Sequence, residues 1–269
     1  MRMKRVLTIA GSDSGGGAGI QADLKTFAVF GTFGMSAITA ITAQNTVSVT
    51  AAHELPLDLI EQQIDAVMTD IGADAVKTGM LSGSKIVRLV AESAKKYDFP
   101  NLVVDPVMIA KSGDPLLAKE ARQTIREELI PLATVITPNL HEVTALTGDQ
   151  VETEEDMEAA ARDLHQLGCQ WVVVKGGHLT GAAESVDVIY DGTTIYRERA
   201  ERIQTKNTHG TGCAFASAIA AGLAGGKSPL EAIRHAKRFI TEAIREGLDI
   251  GQGHGPANHL AGMSSPWME

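Results

Sequence analysis

The sequence predicts an α/β protein: a three-layer α/β/α arrangement around a central, mostly parallel sheet. Three observations carry that expectation. Strand-like and helix-like segments alternate almost throughout the 269 residues. The strand-like segments are continuous apolar runs, the pattern of strands buried on both faces. Polar or glycine-rich turns follow them, and right-handed crossovers gather such turns on one rim of the sheet, where open α/β sheets bind their ligands. One domain over residues 1–269 is expected, with no internal repeat and no linker.

Each element has its own signal. Arg5–Ala10 is short and β-branched, a first strand expected to stop at Gly11. A glycine-rich loop runs from Ser12 to Gly19, and Ile20–Phe30 has helical apolar spacing. Ser36–Ala43 reads as the second strand, ending at Gln44, with Thr46–Ala52 as a short extra strand beside it. In Pro56–Ile71, Leu57, Leu59, Ile60, Ile64, Val67 and Met68 share one side of an expected helix. Asp74–Met80 is strand then turn, Ser84–Tyr97 helix, and Leu102–Val107 a buried strand carrying Asp105. Met108–Pro115 reads as an exposed, mobile connection before a helix at Ala118–Leu129. Thr134–Thr137 is strand, closed by Pro138-Asn139, and a short helix holding Glu142 follows. Thr153–Leu167 is a helix that Thr153 can cap. Trp171–Lys175 is an apolar strand. Ser185–Tyr190 and Thr194–Arg199 flank Asp191-Gly192 as a hairpin. Pro229–Glu246 forms a long amphipathic helix, and the Gly/Pro/His-rich tail from Gly251 is expected to be peripheral.

Composition narrows the function. Hydrophobic residues at 44% and charged residues at 21% are those of an ordinary globular protein. A formal net charge of −9, with no compensating Lys/Arg-rich run, argues against nucleic acid as a partner. Cys169 and Cys213 lie far apart without CxxC spacing, which fits a reduced, cytoplasmic protein. No segment is long and apolar enough to span a bilayer or to act as a signal peptide, so no membrane partner is expected.

The chain is organised around Asn207-Thr-His-Gly-Thr-Gly-Cys213, which turns into the Ala-rich run Ala214–Ala224. The first N–H groups of a helix lack partners within it, and the dipole makes that end electropositive. Gly210 and Gly212 keep side chains away from those N–H groups, so Gly210, Thr211 and Gly212 can receive a phosphate or a phosphoryl group in transfer. Cys213 falls in the first turn, where a lowered thiol pKa would make it a proton acceptor. The alternative is that the glycines serve helix packing and Cys213 is a small buried residue. Asp105 and Glu142, near strand ends with Asn139 between them in sequence, are oxygen donors suited to Mg²⁺ held largely through water and phosphates. They could equally be capping or salt-bridging acids. The first glycine loop has neither GxxxxGK[ST] nor GxGxxG spacing, which sets aside a dinucleotide-dependent oxidoreductase. A carboxylate and anion-hole assembly with Mg²⁺ points to phosphoryl transfer.

Five motifs occur in order: Ala10-Gly-Ser-Asp-Ser-Gly-Gly-Gly-Ala-Gly-Ile-Gln-Ala-Asp23, Val104-Asp-Pro-Val-Met108, Thr137-Pro-Asn-Leu-His-Glu142, Val174-Lys-Gly-Gly-His178 and Thr208-His-Gly-Thr-Gly-Cys213. Together they resemble the hydroxymethylpyrimidine/phosphomethylpyrimidine kinases of thiamine biosynthesis, in the ribokinase-like superfamily, over essentially the whole chain to about residue 250. The resemblance implies an ATP-dependent kinase acting on a small aminopyrimidine alcohol and on its phosphate. Asn139 and Glu142 match the superfamily's NxxE element, with Asp105 joining Glu142 at Mg²⁺; Lys175 and Thr208 would approach the ATP phosphates. Gly210, Thr211 and Gly212 would form the anion hole. Cys213 stands where most of the superfamily has an aspartate base, and acts there as base or by shape. Gln44 would read the aminopyrimidine edge, since an amide both donates and accepts, and Gly11, Asp23, Met80 and Val107 would complete that pocket. A pyridoxine, pyridoxal or pyridoxamine kinase shares nearly all these motifs and is the alternative; a silent small-molecule binder would not need the phosphoryl-transfer residues. Relatives of this kind are commonly homodimers.

Overall fold

A computed structural model describes residues 2–108, 119–177, 179 and 184–261. The expected loop at Lys111-Ser112-Gly113-Asp114 and the motif residue His178 lie outside the described residues. Nine strands form one sheet in the order β3-β2-β1-β4-β5-β6-β7-β8-β9. They are β1 (Arg5–Asp13), β2 (Phe33–Gln44), β3 (Val49–Glu54), β4 (Ala75–Thr78), β5 (Leu102–Val104), β6 (Val135–Ile136), β7 (Trp171–Lys175), β8 (Glu184–Tyr190) and β9 (Ile195–Glu201). β2, β1, β4, β5, β6 and β7 run parallel; β3 pairs antiparallel with β2 at one edge, and at the other β8 pairs antiparallel with β7 and β9 with β8.

Among the described residues eight α-helices cover both faces: α1 (Gly19–Val29), α2 (Leu57–Ala66), α3 (Ser84–Tyr97), α4 (Lys119–Thr124), α5 (Leu140–Thr147), α6 (Glu154–His165), α7 (Thr211–Ala224) and α8 (Pro229–Arg245). The parallel strands divide their side chains by the two-residue period of extended backbone. Leu102 and Val104 of β5, with Val172 and Val174 of β7, pack among α2 to α6. Val103 and Val173 point the other way and pack on α1, α7 and α8. The three-layer expectation therefore holds in detail, including the spans of α3 and α6, whose Thr153 cap accepts from the Asp156 N–H at 3.1 Å.

Three local readings change. β1 does not stop at Gly11 but continues to Asp13 through a register shift between Ala10 and Ser12. The helices beginning at Leu57 and Lys119 each widen into a π-type turn, at Val67–Ile71 and Ile125–Leu129. The tail is not peripheral: Ala257 is fully buried and Ala261 nearly so, both against the α7–α8 layer. His209 pairs with Pro256 in an isolated parallel bridge, its N–H donating to the Gly255 carbonyl at 3.0 Å and its carbonyl accepting from Ala257 N–H at 3.1 Å. Glycine and proline content made this stretch look like a loose end, but its backbone pairs with the 207–210 loop.

Candidate active site

The ends of the parallel strands open into a cavity of about 670 Å³. Gly11, Gln44, Met80, Val107, Asp105, Asn139, Glu142, Lys175, Thr208, Gly210, Thr211, Gly212 and Cys213 all line it. Of the site residues expected from the sequence, Asp23 alone is not on its wall.

The mouth of α7 is built as its sequence requires. Gly210 is the residue before the helix and has φ +78°, a left-handed conformation that favours glycine. A Cβ there would also lie 1.7 Å from the Gly17 carbonyl oxygen, so no larger residue fits. The Ala214 N–H bonds back to the Gly210 carbonyl at 2.9 Å, and the Thr211 N–H makes a longer bond to the Thr208 carbonyl at 3.4 Å. This first turn lines the cavity, where the positive end of the helix dipole lies.

Cys213 does not have the lowered pKa that its place at the helix start suggested. Burial pushes the thiol up to about 12; Asp23 and Asp105 push the same way, and Lys77 and a bond from the Gly19 N–H oppose them without prevailing. The thiol is neutral at neutral pH in this site.

Asp105 and Glu142 are both buried, 2% and 5% exposed, so they are not surface acids. Lys175, at the end of β7, lies between them, with its Nζ 3.1 Å from Asp105 Oδ1 and 3.9 Å from Glu142 Oε2. Asn139 and Glu142 form a capping box on α5: the Asn139 Oδ1 accepts from the Glu142 N–H at 3.0 Å, and Glu142 Oε2 accepts from the Asn139 N–H at 2.7 Å. Capping and site chemistry thus use the same residues. Burial pushes the Glu142 carboxyl up to about 7; Lys175 and the Asn139 N–H lower it, and Asp105 raises it further. A cation beside the two acids would relieve that cost. Two buried carboxylates are oxygen donors of the chemistry that suits Mg²⁺ with its remaining ligands from water and phosphates.

Asp23 is a correction. It is fully buried beneath the cavity, where Lys77 Nζ contacts both its oxygens at 2.9 Å, Thr8 Oγ1 donates at 2.6 Å and Ser217 Oγ at 2.7 Å. A carboxylate on α1 with partners on β1, β4 and α7 has no oxygen to offer a ligand. Lys77, on the cavity wall, is the charge that sequence reasoning missed, although a lysine inside the apolar run Ala75–Thr78 was a usable signal. Asp13 and His209 were missed as well. Asp13 was legible only as an acid opening a glycine run, and His209 only as part of the motif before α7. A further buried pair, Lys237 Nζ to Asp187 Oδ2 at 2.8 Å, lines the cavity where β8 meets α8.

The chain is similar to known proteins over nearly its whole length. The family model described as phosphomethylpyrimidine kinase matches residues 13–258. The hydroxymethylpyrimidine/phosphomethylpyrimidine kinase of Mycobacterium tuberculosis is 49% identical over 265 residues, covering 98% of this chain and 96% of that protein. The thiamine biosynthesis bifunctional protein ThiED of Geobacter sulfurreducens is 51% identical over 95% of this chain, which spans only 52% of that longer protein. Among solved structures, an ADP complex of Bacillus subtilis pyridoxal kinase superposes with a TM-score of 0.91 at 46% identity, covering 97% of this chain and 98% of that one.

Proposed function

The chain belongs to the phosphomethylpyrimidine kinase family, and from that premise we propose that it transfers the γ-phosphoryl group of ATP to 4-amino-5-hydroxymethyl-2-methylpyrimidine and then to the monophosphate, giving the diphosphate for thiamine biosynthesis. The observation that carries this reading is the convergence, in one cavity of a ribokinase-like sheet, of an amide-bearing pocket with an anion hole and two carboxylates.

Gln44, Gly11, Met80 and Val107 hold the pyrimidine. Thr42 Oγ1 lies 3.2 Å from Gln44 Oε1 but 2.8 Å from the Ser12 carbonyl oxygen, and one hydroxyl proton serves the nearer acceptor. The Gln44 amide is therefore left to accept from an exocyclic amine and donate to a ring nitrogen. Lys175, Asn139 and Thr208 bind the ATP phosphates, and the N–H groups of Gly210, Thr211 and Gly212 receive the phosphoryl group. Asp105 and Glu142 would hold Mg²⁺, which when bound neutralises phosphate charge. The hydroxyl oxygen forms the new bond to phosphorus as the bond to ADP breaks and the hydroxyl proton passes to an oxygen of the transferred phosphoryl group, a transfer in which positioning and electrostatics supply most of the catalysis. Cys213, as a neutral thiol, shapes the acceptor site.

The working unit is a cytoplasmic homodimer of single-domain subunits. Two free cysteines suit a reducing compartment, and β3 is the outermost strand at its end of the sheet, near the exposed Ile41 and Val47. The test of function is ADP release with Mg-ATP and either the hydroxymethylpyrimidine or pyridoxal, with product masses recorded. A pyrimidine diphosphate is expected. Dominant pyridoxal phosphate would overturn the reading in favour of the activity named for the Bacillus subtilis structural neighbour.

A further inference from the structure

Two loops meet at the mouth of the cavity, and they come from opposite parts of the chain. Asp13 ends β1 and opens the glycine loop; its carboxylate is 2% exposed. Oδ1 accepts from the Gly15 N–H at 2.8 Å, and Oδ2 from the N–H groups of Gly17 at 3.0 Å and Ala18 at 2.8 Å. Oδ2 also accepts from His209 Nε2 at 2.8 Å, across 196 positions of sequence. An ionised carboxylate only accepts, so Nε2 carries the proton. The His209 ring lies directly on Gly17, where a Cβ would sit 2.4 Å from Cδ2, and the Gly17 carbonyl in turn faces Gly210. The backbone of His209 is held on its other side by Gly255 and Ala257.

Neither side chain performs the transfer, yet each sits next to a group that does. Asp13 precedes the loop over which the acceptor binds. His209 directly precedes the glycine that starts the anion hole. We propose that the Asp13–His209 pair is a positioning device that sets the distance between the acceptor hydroxyl and the transferring phosphoryl group. The inference rests on the proposed kinase reaction. In that reaction the acceptor is fixed to the glycine loop and the donor to the α7 terminus, so their separation depends on how these loops are joined. Misplacement of reacting atoms by about 1 Å costs on the order of a hundredfold in rate. Loosening the joint also lets water reach the phosphoryl group: its oxygen then forms the bond to phosphorus, ADP leaves, and inorganic phosphate replaces the pyrimidine product.

The experiment compares His209→Ala with His209→Gln, whose amide N–H reaches about as far as Nε2. For each variant kcat, both KM values, thermal midpoint and the ratio of ADP released to pyrimidine phosphate formed are measured. In His209→Ala, kcat should fall on the order of a hundredfold, with KM for ATP little changed and the ratio rising above that of the wild type. His209→Gln should restore most of both. If His209→Ala does not fold, His209→Asn takes its place, since its shorter arm cannot span to Asp13. A ratio unchanged from the wild type, or equal losses in the Gln and Asn or Ala variants, overturns the proposal. A wild-type protein that forms no pyrimidine phosphate overturns the functional reading instead, so the two failures are distinct.

Discussion

Cys213 shows how far a local rule reaches at the scale of one residue. A helix N-terminus lowers a thiol pKa when the thiol can also reach water or a cation. Here burial is the largest influence and two carboxylates add to it, so the proton stays on sulfur. Cys213→Ser is therefore expected to keep kcat within about tenfold, without a cysteine limb in the pH–rate profile. A loss of about 10²–10⁴-fold, the range for a removed general base, would reinstate the thiolate. Glu142 supplies the pH dependence of stability. Its folded value of about 7 stands above the ordinary 4.5, so between the two the folded protein keeps a proton that the unfolded chain releases. The contribution of Glu142 to stability should accordingly decline as pH rises through that window, against the opposite contribution of His259, whose buried imidazole is pushed down to about 4. Glu142→Gln keeps a capping box and should flatten the decline; unfolding midpoints with equal slopes in both proteins would refute the assignment.

Between elements, the Asp23 cluster is the joint to test. It binds α1, β1, β4 and α7 through one carboxylate and one ammonium, both fully buried. Lys77→Met alone leaves Asp23 charged and unpaired, a change that costs about 3–5 kcal/mol, whereas a neutral pair of similar volume is tolerated. Chemical denaturation should show a large loss for Lys77→Met that is mostly recovered in Lys77→Met with Asp23→Asn. Full additivity of the two losses would mean that they do not act as a pair. The cluster also marks where sequence reading gives out. Apolar periodicity and caps found α3, α6 and α8 because those signals are local. Lys77 meets Asp23 across 54 positions, and no spacing rule foretells such a contact. Asp23 was placed in the substrate pocket by resemblance, while its surroundings are those of the sheet interior. The continuation of β1 past Gly11 escaped for another reason, since a bulge lets a glycine remain in a strand.

Across the whole molecule, the alternation of apolar strands and amphipathic helices left little choice of architecture, and the rim followed from it. Every rim residue named from a strand end does reach the cavity. The tail could not be read in this way, because backbone pairing with a distant loop leaves no trace in composition.

The closing of that tail over the 207–210 loop bears on biosynthesis. β1 and the glycine loop leave the ribosome before the 207–210 loop does, so Asp13 must wait for a partner 196 positions later. His209 is itself held by residues 255 and 257, later still. The joint between the two loops therefore cannot close on a nascent chain until residues 255 and 257 have left the exit tunnel.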